Sequence, residues 1–198
     1  RGTIDMSGWT EIGVMEPNWD KFFKYRIEPA FFSTDLGIII NEVRNDLKES
    51  IEEKSAVIEV KEICQANIIR FQFRQLLHNI ISNALKFSIP GKPPYIQISA
   101  NLKPGHACQN DRLNQDMEYC HIRISDNGIG FEPIYREKIF EVFQRLYGKE
   151  TYKGTGIGLA IVKRIVENHD GCIIANGELN KGATFDIYIP TIKKPQHG

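Results

Sequence analysis

The fold is decided by residues 119–130, which read YCHIRISDNGIG. The first seven residues have the apolar, β-branched pattern of a strand, and Asp126 stands directly at its end. A carboxylate there can accept a hydrogen bond from an exocyclic amine, while Gly128 and Gly130 allow positive φ and a close approach of the backbone to a flat ring. The same motif is also typical of a plain Asn-Gly turn, so by itself it leaves both interpretations open.

A second glycine-rich motif, GTGIGL, directly opens a predicted helix over residues 158–169. Main-chain N–H groups at a helix N-terminus and the helix dipole favour an anion, which suits a phosphate chain. The spacing fits neither the dinucleotide fingerprint nor a P-loop, and a flexible linker is the alternative interpretation. The motif consists of Gly154, Thr155, Gly156, Ile157, Gly158 and Leu159.

A third motif lies on a predicted helix over residues 71–87 that is otherwise largely apolar. Asn79, Asn83 and Lys86 fall at positions i, i+4 and i+7, so they share one helical face. Polar side chains on such a helix are costly to bury without partners. An amide oxygen can ligate Mg²⁺ and an ammonium can meet a phosphate, whereas the alternative is a solvated polar stripe.

The order of the predicted elements indicates the fold class. Pairs of strands grouped between helices favour a two-layer α/β sandwich with a mixed sheet rather than a parallel βαβ series. We expect one domain over residues 33–190, an irregular, aromatic-rich extension over 1–32 and a tail over 191–198. The predicted elements are a helix over 36–54 behind the cap at 33–35, a strand over 57–60, the helix over 71–87, strands over 95–102 and 119–125, the helix over 158–169, and strands over 172–175 and 183–189.

The composition excludes several classes of protein. The 198 residues carry 25 basic and 25 acidic side chains, without the basic excess of a nucleic-acid-binding domain. No apolar run approaches the length of a membrane span, so we expect a cytoplasmic domain without membrane contact, whether or not its parent protein is anchored in a membrane. The four cysteines lack metal-site spacing and are expected to be free thiols.

Taken together and in this order, the three motifs resemble the N, G1 and G2 boxes of the GHKL ATP-binding superfamily, which includes histidine kinases, DNA gyrase, Hsp90 and MutL. The resemblance is strongest to sensor histidine kinases and covers roughly residues 33–190. Residues 139–145 (IFEVFQR) look like the F box of those kinases, and residues 182–190 (GATFDIYIP) look like their closing strand. The resemblance implies a Bergerat-type ATP-binding fold.

The resemblance also implies roles for individual residues at an adenine site. Asp126 would hold the adenine amino group, Phe87 would lie beside the base, and Thr184 would help to close the site through water. Other residues that it places at the nucleotide are Gly128, Gly130, Phe140, Phe143 and the six residues of 154–159.

On the phosphate side, the resemblance implies that Asn83 coordinates Mg²⁺ and that Asn79 and Lys86 lie near the phosphates. Residues 132–153 would form a mobile ATP lid, anchored on its hinge side by Phe140 and Phe143. Arg145 would contact phosphate from that lid. We therefore name Asn79, Lys86 and Arg145 as the candidate catalytic residues and ATP with Mg²⁺ as the cofactors.

One position separates the branches of the superfamily. Its ATPases place a glutamate four residues before the magnesium asparagine as general base for water, but here that residue is Asn79, which cannot take a proton. This favours phosphoryl transfer to a protein.

The first histidine, His78, already lies inside the helix over 71–87, so the partners would be phosphoacceptor-histidine dimerisation helices outside this chain and a response-regulator receiver domain. A GHKL-type ATPase and a degenerate nucleotide-binding docking module are the alternatives.

Overall fold

The computed structural model describes residues 30–108, 110–143 and 156–191. The chain divides into two units, residues 1–30 and 31–198, and all described residues except Ala30 belong to the second. The predicted extension and tail fall largely outside the described residues, so the predicted domain boundaries stay predictions.

The described residues form four α-helices and seven β-strands. In chain order these are β1 (Phe32–Asp35), α1 (Leu36–Asp46), α2 (Lys48–Glu53), β2 (Val57–Val60), β3 (Gln65–Ile68), α3 (Arg70–Lys86), β4 (Tyr95–Pro104), β5 (Glu118–Asp126), α4 (Gly158–Asn168), β6 (Cys172–Glu178) and β7 (Gly182–Pro190). Single 3-10 turns lie at Gly105–Ala107, Pro133–Tyr135 and Lys138–Phe140. Among the described residues, no helix is both long enough and apolar enough to cross a membrane.

Five strands form one mixed sheet in the order β2-β4-β5-β7-β6. β2 runs parallel to β4, and the other neighbours are antiparallel. The helices α1, α3 and α4 pack their apolar residues with those of one sheet face into a single core. Ile96, Ile98 and Ala100 alternate into that core along β4, as the period of a strand requires. The predicted two-layer α/β sandwich with a mixed sheet is confirmed.

The central helix α3 shows why these residues fold as they do. Its apolar side chains recur at steps of three and four residues, which places them on one face of a helix. Seven of them are buried in the core, and each large aliphatic side chain contributes about 1.5–3 kcal/mol by leaving water. The buried residues are Phe73, Leu76, Leu77, Ile80, Ile81, Ala84 and Leu85.

The first part of the domain differs from the prediction in two ways. The Asp35 side chain caps α1 as expected, with Oδ1 accepting a hydrogen bond from the N–H of Gly37 at 2.7 Å, but the predicted single helix over 36–54 is interrupted at Leu47. β1 and β3 form a separate antiparallel two-stranded sheet that was not predicted. Each of these strands is four residues long and is stabilised by pairing with the other, which lies far away in the sequence.

The cysteines also differ in part from the prediction. Cys64 and Cys120 are paired as a disulfide, so the expectation of four free thiols is wrong for this pair, whereas Cys108 and Cys172 are free. The paired residues are 56 positions apart, and they meet because the segment after β2 continues alongside β4, the neighbour of β5. Pairing across a fold cannot be deduced from cysteine spacing.

Candidate functional site

Asp126 is the last residue of β5, and its carboxylate is held from two sides. Oδ1 accepts hydrogen bonds from the N–H of Gly128 at 2.8 Å and from the N–H of Ala183 at 3.3 Å. No described residue donates a hydrogen bond to the other oxygen, Oδ2. Burial raises the pKa of Asp126, and the two main-chain hydrogen bonds only partly offset this rise. The site thus presents one acceptor, the Oδ2 atom of a partly buried carboxylate whose direction is fixed by two main-chain N–H groups.

The glycines after Asp126 are needed to pack the loop against its own chain. A Cβ atom on Gly128 would lie 2.5 Å from the carbonyl oxygen of Phe87, so no side chain fits there. Gly130 has φ +62°, and a Cβ atom on it would lie 2.0 Å from the carbonyl oxygen of Glu178. The expected positive φ is found at Gly130 but not at Gly128.

The C-terminal end of α3 is bonded directly to this loop. Phe87 caps the helix with its N–H, which donates to the carbonyl of Asn83 at 2.8 Å. Its own carbonyl oxygen accepts from the N–H of Ile129 at 2.9 Å. The ammonium of Lys86 lies over the Phe87 ring, 4.7 Å from its centroid. The predicted residues Lys86 and Phe87 are therefore brought beside the loop that carries Asp126.

Asn79 and Asn83 lie one turn apart on α3 and both are half-buried. The Asn79 amide donates to the carbonyl oxygen of Gly158, the first residue of α4, at 3.3 Å. The side chain of Asn83 has no hydrogen-bond partner among the described residues. A half-buried amide without a partner is suited to bind a ligand from outside the chain, and its oxygen is of the type that Mg²⁺ accepts. No cluster of three or more acidic, histidine or cysteine side chains competes as a metal site within the described residues.

The start of α4 holds the described part of the second glycine motif. Gly156 has φ +75° and its carbonyl accepts from the N–H of Phe143 at 3.1 Å. Ile157 is the N-cap residue, and no described side chain caps the helix there, so the first N–H groups of α4 have no side-chain acceptor among the described residues. Leu159 packs against the core. Gly154, Thr155 and Arg145 lie outside the described residues.

The base of the expected lid is only partly docked. Phe140 is 6% exposed and belongs to the core, as expected, whereas Phe143 is 75% exposed and has φ +63°. The expectation that both phenylalanines are docked is therefore wrong for Phe143. The remainder of the expected lid, residues 144–153, lies outside the described residues.

Thr184 lies on β7 directly opposite Ser125 of β5. It follows Ala183, whose N–H donates a hydrogen bond to Asp126. It is half-buried, at the same end of the sheet as Asp126. Two further contributors escaped the sequence analysis. The N–H of Ala183 is a main-chain group without a sequence signal, and Asn127 was interpreted only as part of the turn.

Two of the described histidines, His121 and His169, are buried. His169 accepts from the N–H of Ile69 at its Nε2 atom, 3.0 Å away, and its Nδ1 atom lies 2.7 Å from the carbonyl oxygen of Ile165. This arrangement corresponds to the neutral tautomer with the proton on Nδ1, and it ties the end of α4 to the start of α3.

Similar solved structures and sequence relatives indicate the class of protein to which the chain belongs. The catalytic domain of histidine kinase ThkA has a TM-score of 0.62 and 25% identity, over 81% of this chain and 97% of the other. Phytochrome-like protein Cph1 of Synechocystis sp. is 36% identical over 185 residues, covering 91% of this chain and 23% of Cph1. Sensor histidine kinase WalK of Bacillus subtilis is 38% identical over 118 residues, covering 59% of this chain and 17% of WalK. The chain spans less than a quarter of the length of these two relatives.

The fold is that of an ATP-binding catalytic domain of the sensor histidine kinase type. Residues 69–193 match the family of histidine kinase-, DNA gyrase B- and HSP90-like ATPases. The chain belongs to this family.

Proposed function

We propose that this chain binds ATP with Mg²⁺ and, within a longer two-component sensor kinase, transfers the γ-phosphoryl group to a histidine on dimerisation helices outside this chain. A response-regulator receiver domain would then accept the phosphoryl group. The observation that carries the proposal is the Asp126 carboxylate, which has one oxygen fixed by two main-chain N–H groups and the other without a described donor. That free oxygen is the acceptor that an adenine amino group needs.

The placement of Asp126 supports selection of adenine over guanine. The Oδ2 atom of Asp126 can accept a hydrogen bond from the amino group of adenine. Guanine carries a carbonyl oxygen at that position, so two acceptors would face each other without a hydrogen bond. Leaving two acceptors unpaired costs about 1–3 kcal/mol. We propose that Phe87 lies beside the base and that Thr184 closes the site through water, since both lie at the same end of the sheet as Asp126.

The polar face of α3, which contacts the first residue of α4, supports the proposed binding of the phosphates. Asn79 contacts Gly158 at the start of α4, and Asn83 lies one turn further along α3, its amide without a partner among the described residues. We propose Asn83 as the protein ligand to Mg²⁺, and Lys86 with Arg145 as cations that meet the phosphates. When bound, Mg²⁺ supplies charge neutralisation on the phosphates and alignment of the transferred group.

The residue at position 79 supports transfer rather than hydrolysis. The Asn79 amide cannot act as a general base, and its N–H group donates a hydrogen bond to the carbonyl oxygen of Gly158. Two alternatives remain as outcomes of a test: a GHKL-type ATPase would release phosphate from ATP on its own, and a degenerate docking module would bind nucleotide without transferring it.

The test has two parts. Calorimetric titration with ATP and with GTP in the presence of Mg²⁺ should give about tenfold or stronger preference for ATP. Incubation with labelled ATP and a dimerisation-helix fragment of the parent kinase should label the fragment, and little phosphate should appear without it. Equal affinity for ATP and GTP would remove Asp126 from its role, and phosphate release by this chain alone would favour the ATPase.

A further inference from the structure

The side chain of Asn127 uses both ends of its amide within the protein. Its Oδ1 atom accepts a hydrogen bond from the N–H of Tyr95 at 2.8 Å. Its Nδ2 atom donates to the carbonyl oxygen of Pro93 at 3.1 Å. Both partners are main-chain groups: Pro93 lies at the end of the connection between α3 and β4, and Tyr95 is the first residue of β4.

These contacts replace strand pairing where the sheet ends. The ladder between β4 and β5 stops at the pair Ile96–Asp126. After Asp126 the chain turns away from β4. The Asn127 amide then takes the place of a strand partner by bonding to the N–H of Tyr95 and to the carbonyl oxygen of Pro93. Only a side chain with an acceptor and a donor at the same branch point can do this, because aspartate would bring an oxygen against the Pro93 carbonyl.

The other end of the same connection is also fastened to the loop. The carbonyl of Phe87 accepts from the N–H of Ile129 at 2.9 Å. Residues 126–130 are therefore bonded to residue 87 through Ile129 and to residues 93 and 95 through Asn127. Asp126, the last residue of β5, directly precedes this double attachment.

We propose that Asn127 is a positioning residue for base recognition: it holds residues 93–95 against the loop and fixes the direction in which the Asp126 carboxylate faces the base. This rests on the proposed function, in which Asp126 binds adenine. Asn127 is proposed to act through the loop and not by contacting the base, since its amide bonds to main-chain groups of Pro93 and Tyr95.

The test compares Asn127→Ala and Asn127→Ser with Asn110→Ala in the whole chain. Asn110 is a matched control, because its amide is also engaged at both ends: Oδ1 accepts from the N–H of Arg112 at 3.0 Å, and Nδ2 lies 3.7 Å from the Sγ atom of Cys172. Asn110 lies near the start of β6. Asp126 lies at the opposite end of that strand, beside Ala183 of β7, which pairs with Gly177 near the end of β6. Calorimetry measures the affinity for ATP and GTP, and hydrogen exchange measures the protection of the Tyr95 amide.

We expect both Asn127 variants to bind ATP about tenfold more weakly and to lose most of the preference for ATP over GTP, with faster exchange at Tyr95. Asn110→Ala should change neither the affinity nor the preference. Unchanged affinity, or weaker binding with an unchanged preference, would overturn the proposal, as would failure of both Asn127 variants to fold. If the wild-type chain binds no ATP, the proposed function fails instead.

Discussion

The side-chain amide of Asn79 on α3 donates a hydrogen bond to the carbonyl oxygen of Gly158, 79 residues further along the chain, over 3.3 Å. This contact joins the polar face of α3 to the first residue of α4. The face is therefore not only a solvated stripe, since one of its amides links the two helices that would flank the phosphates.

Replacing Asn79 by alanine should weaken ATP binding more than it weakens the fold. The single half-buried hydrogen bond to Gly158 is worth about 0.5–1.5 kcal/mol to stability, which sets the expected loss in the free energy of unfolding. ATP affinity should fall further, by at least about thirtyfold or about 2 kcal/mol, because the amide is also proposed to lie near the phosphates. Chemical denaturation and calorimetry measure the two quantities, and a loss of stability without a loss of affinity would leave Asn79 a purely structural link.

The Asn83→Ala variant tests the metal ligand. Since the Asn83 side chain has no partner among the described residues, its removal should leave the free energy of unfolding nearly unchanged. The gain in ATP affinity on adding Mg²⁺ should become smaller, because the proposed protein ligand is lost.

The matched control for this variant is Ser82→Ala. Ser82 is the neighbouring residue of α3, and its hydroxyl donates to the Asn79 carbonyl at 3.2 Å. Calorimetric titrations with and without Mg²⁺ should show the same magnesium effect in this control as in the wild type. An Asn83→Ala variant that responds to Mg²⁺ like the wild type would exclude Asn83 as a ligand.

Asp186 should make the stability of the domain depend on pH below about 4. Its Oδ1 atom lies 2.7 Å from His121 Nε2 and accepts from Arg123 Nε at 2.7 Å. Burial raises the pKa of Asp186, but the hydrogen bonds from His121 and Arg123 outweigh burial and lower the pKa below 3.8. A depressed folded-state pKa stabilises the fold above the unfolded pKa, and this stabilisation is lost as the pH falls through the folded value.

Denaturation of Asp186→Asn at pH 7 and pH 3 measures this dependence. The variant should be less stable than the wild type by about 1–3 kcal/mol at pH 7, and the difference should shrink at pH 3. Asp111→Asn, at an exposed position in the loop between β4 and β5, should show little difference at either pH. A difference for Asp186→Asn that stays constant between the two pH values would contradict the assignment.

His169 should matter for stability rather than for nucleotide binding. Its ring is buried between α3 and α4, accepts from the N–H of Ile69 and lies within hydrogen-bonding distance of the Ile165 carbonyl. The His169→Ala variant leaves a cavity and an unsatisfied N–H, so it should lower the free energy of unfolding by about 3 kcal/mol. Thermal unfolding measures this loss, and ATP affinity of the folded variant should stay within about twofold of the wild type.

Long and strongly periodic elements were predictable from the sequence because their own side chains carry the pattern. α3 begins within one residue of its predicted start, and the motif at Asp126 stands at the strand end where it was expected. The short strands β1 and β3 were not predictable, since they are stabilised by pairing with each other between residues 30 to 36 positions apart. The same holds for the pairing of Cys64 with Cys120 and for the bond between Asn127 and Tyr95, which exist only once the chain is folded.

The most direct measurement of the central claim is the ATP affinity of Asp126→Asn, with its free energy of unfolding measured in parallel. The asparagine oxygen can still accept from Gly128 and Ala183, and the buried charge is removed. Because the folded-state pKa of Asp126 is raised, its ionised form does not stabilise the fold at pH 7.

The free energy of unfolding of this variant should therefore be unchanged or higher. An amide N–H₂ in place of Oδ2 would face the adenine amino group donor to donor, so ATP binding should weaken at least about tenfold. A stable variant with strongly reduced ATP affinity is the predicted result. A variant that binds ATP as tightly as the wild type would contradict the account.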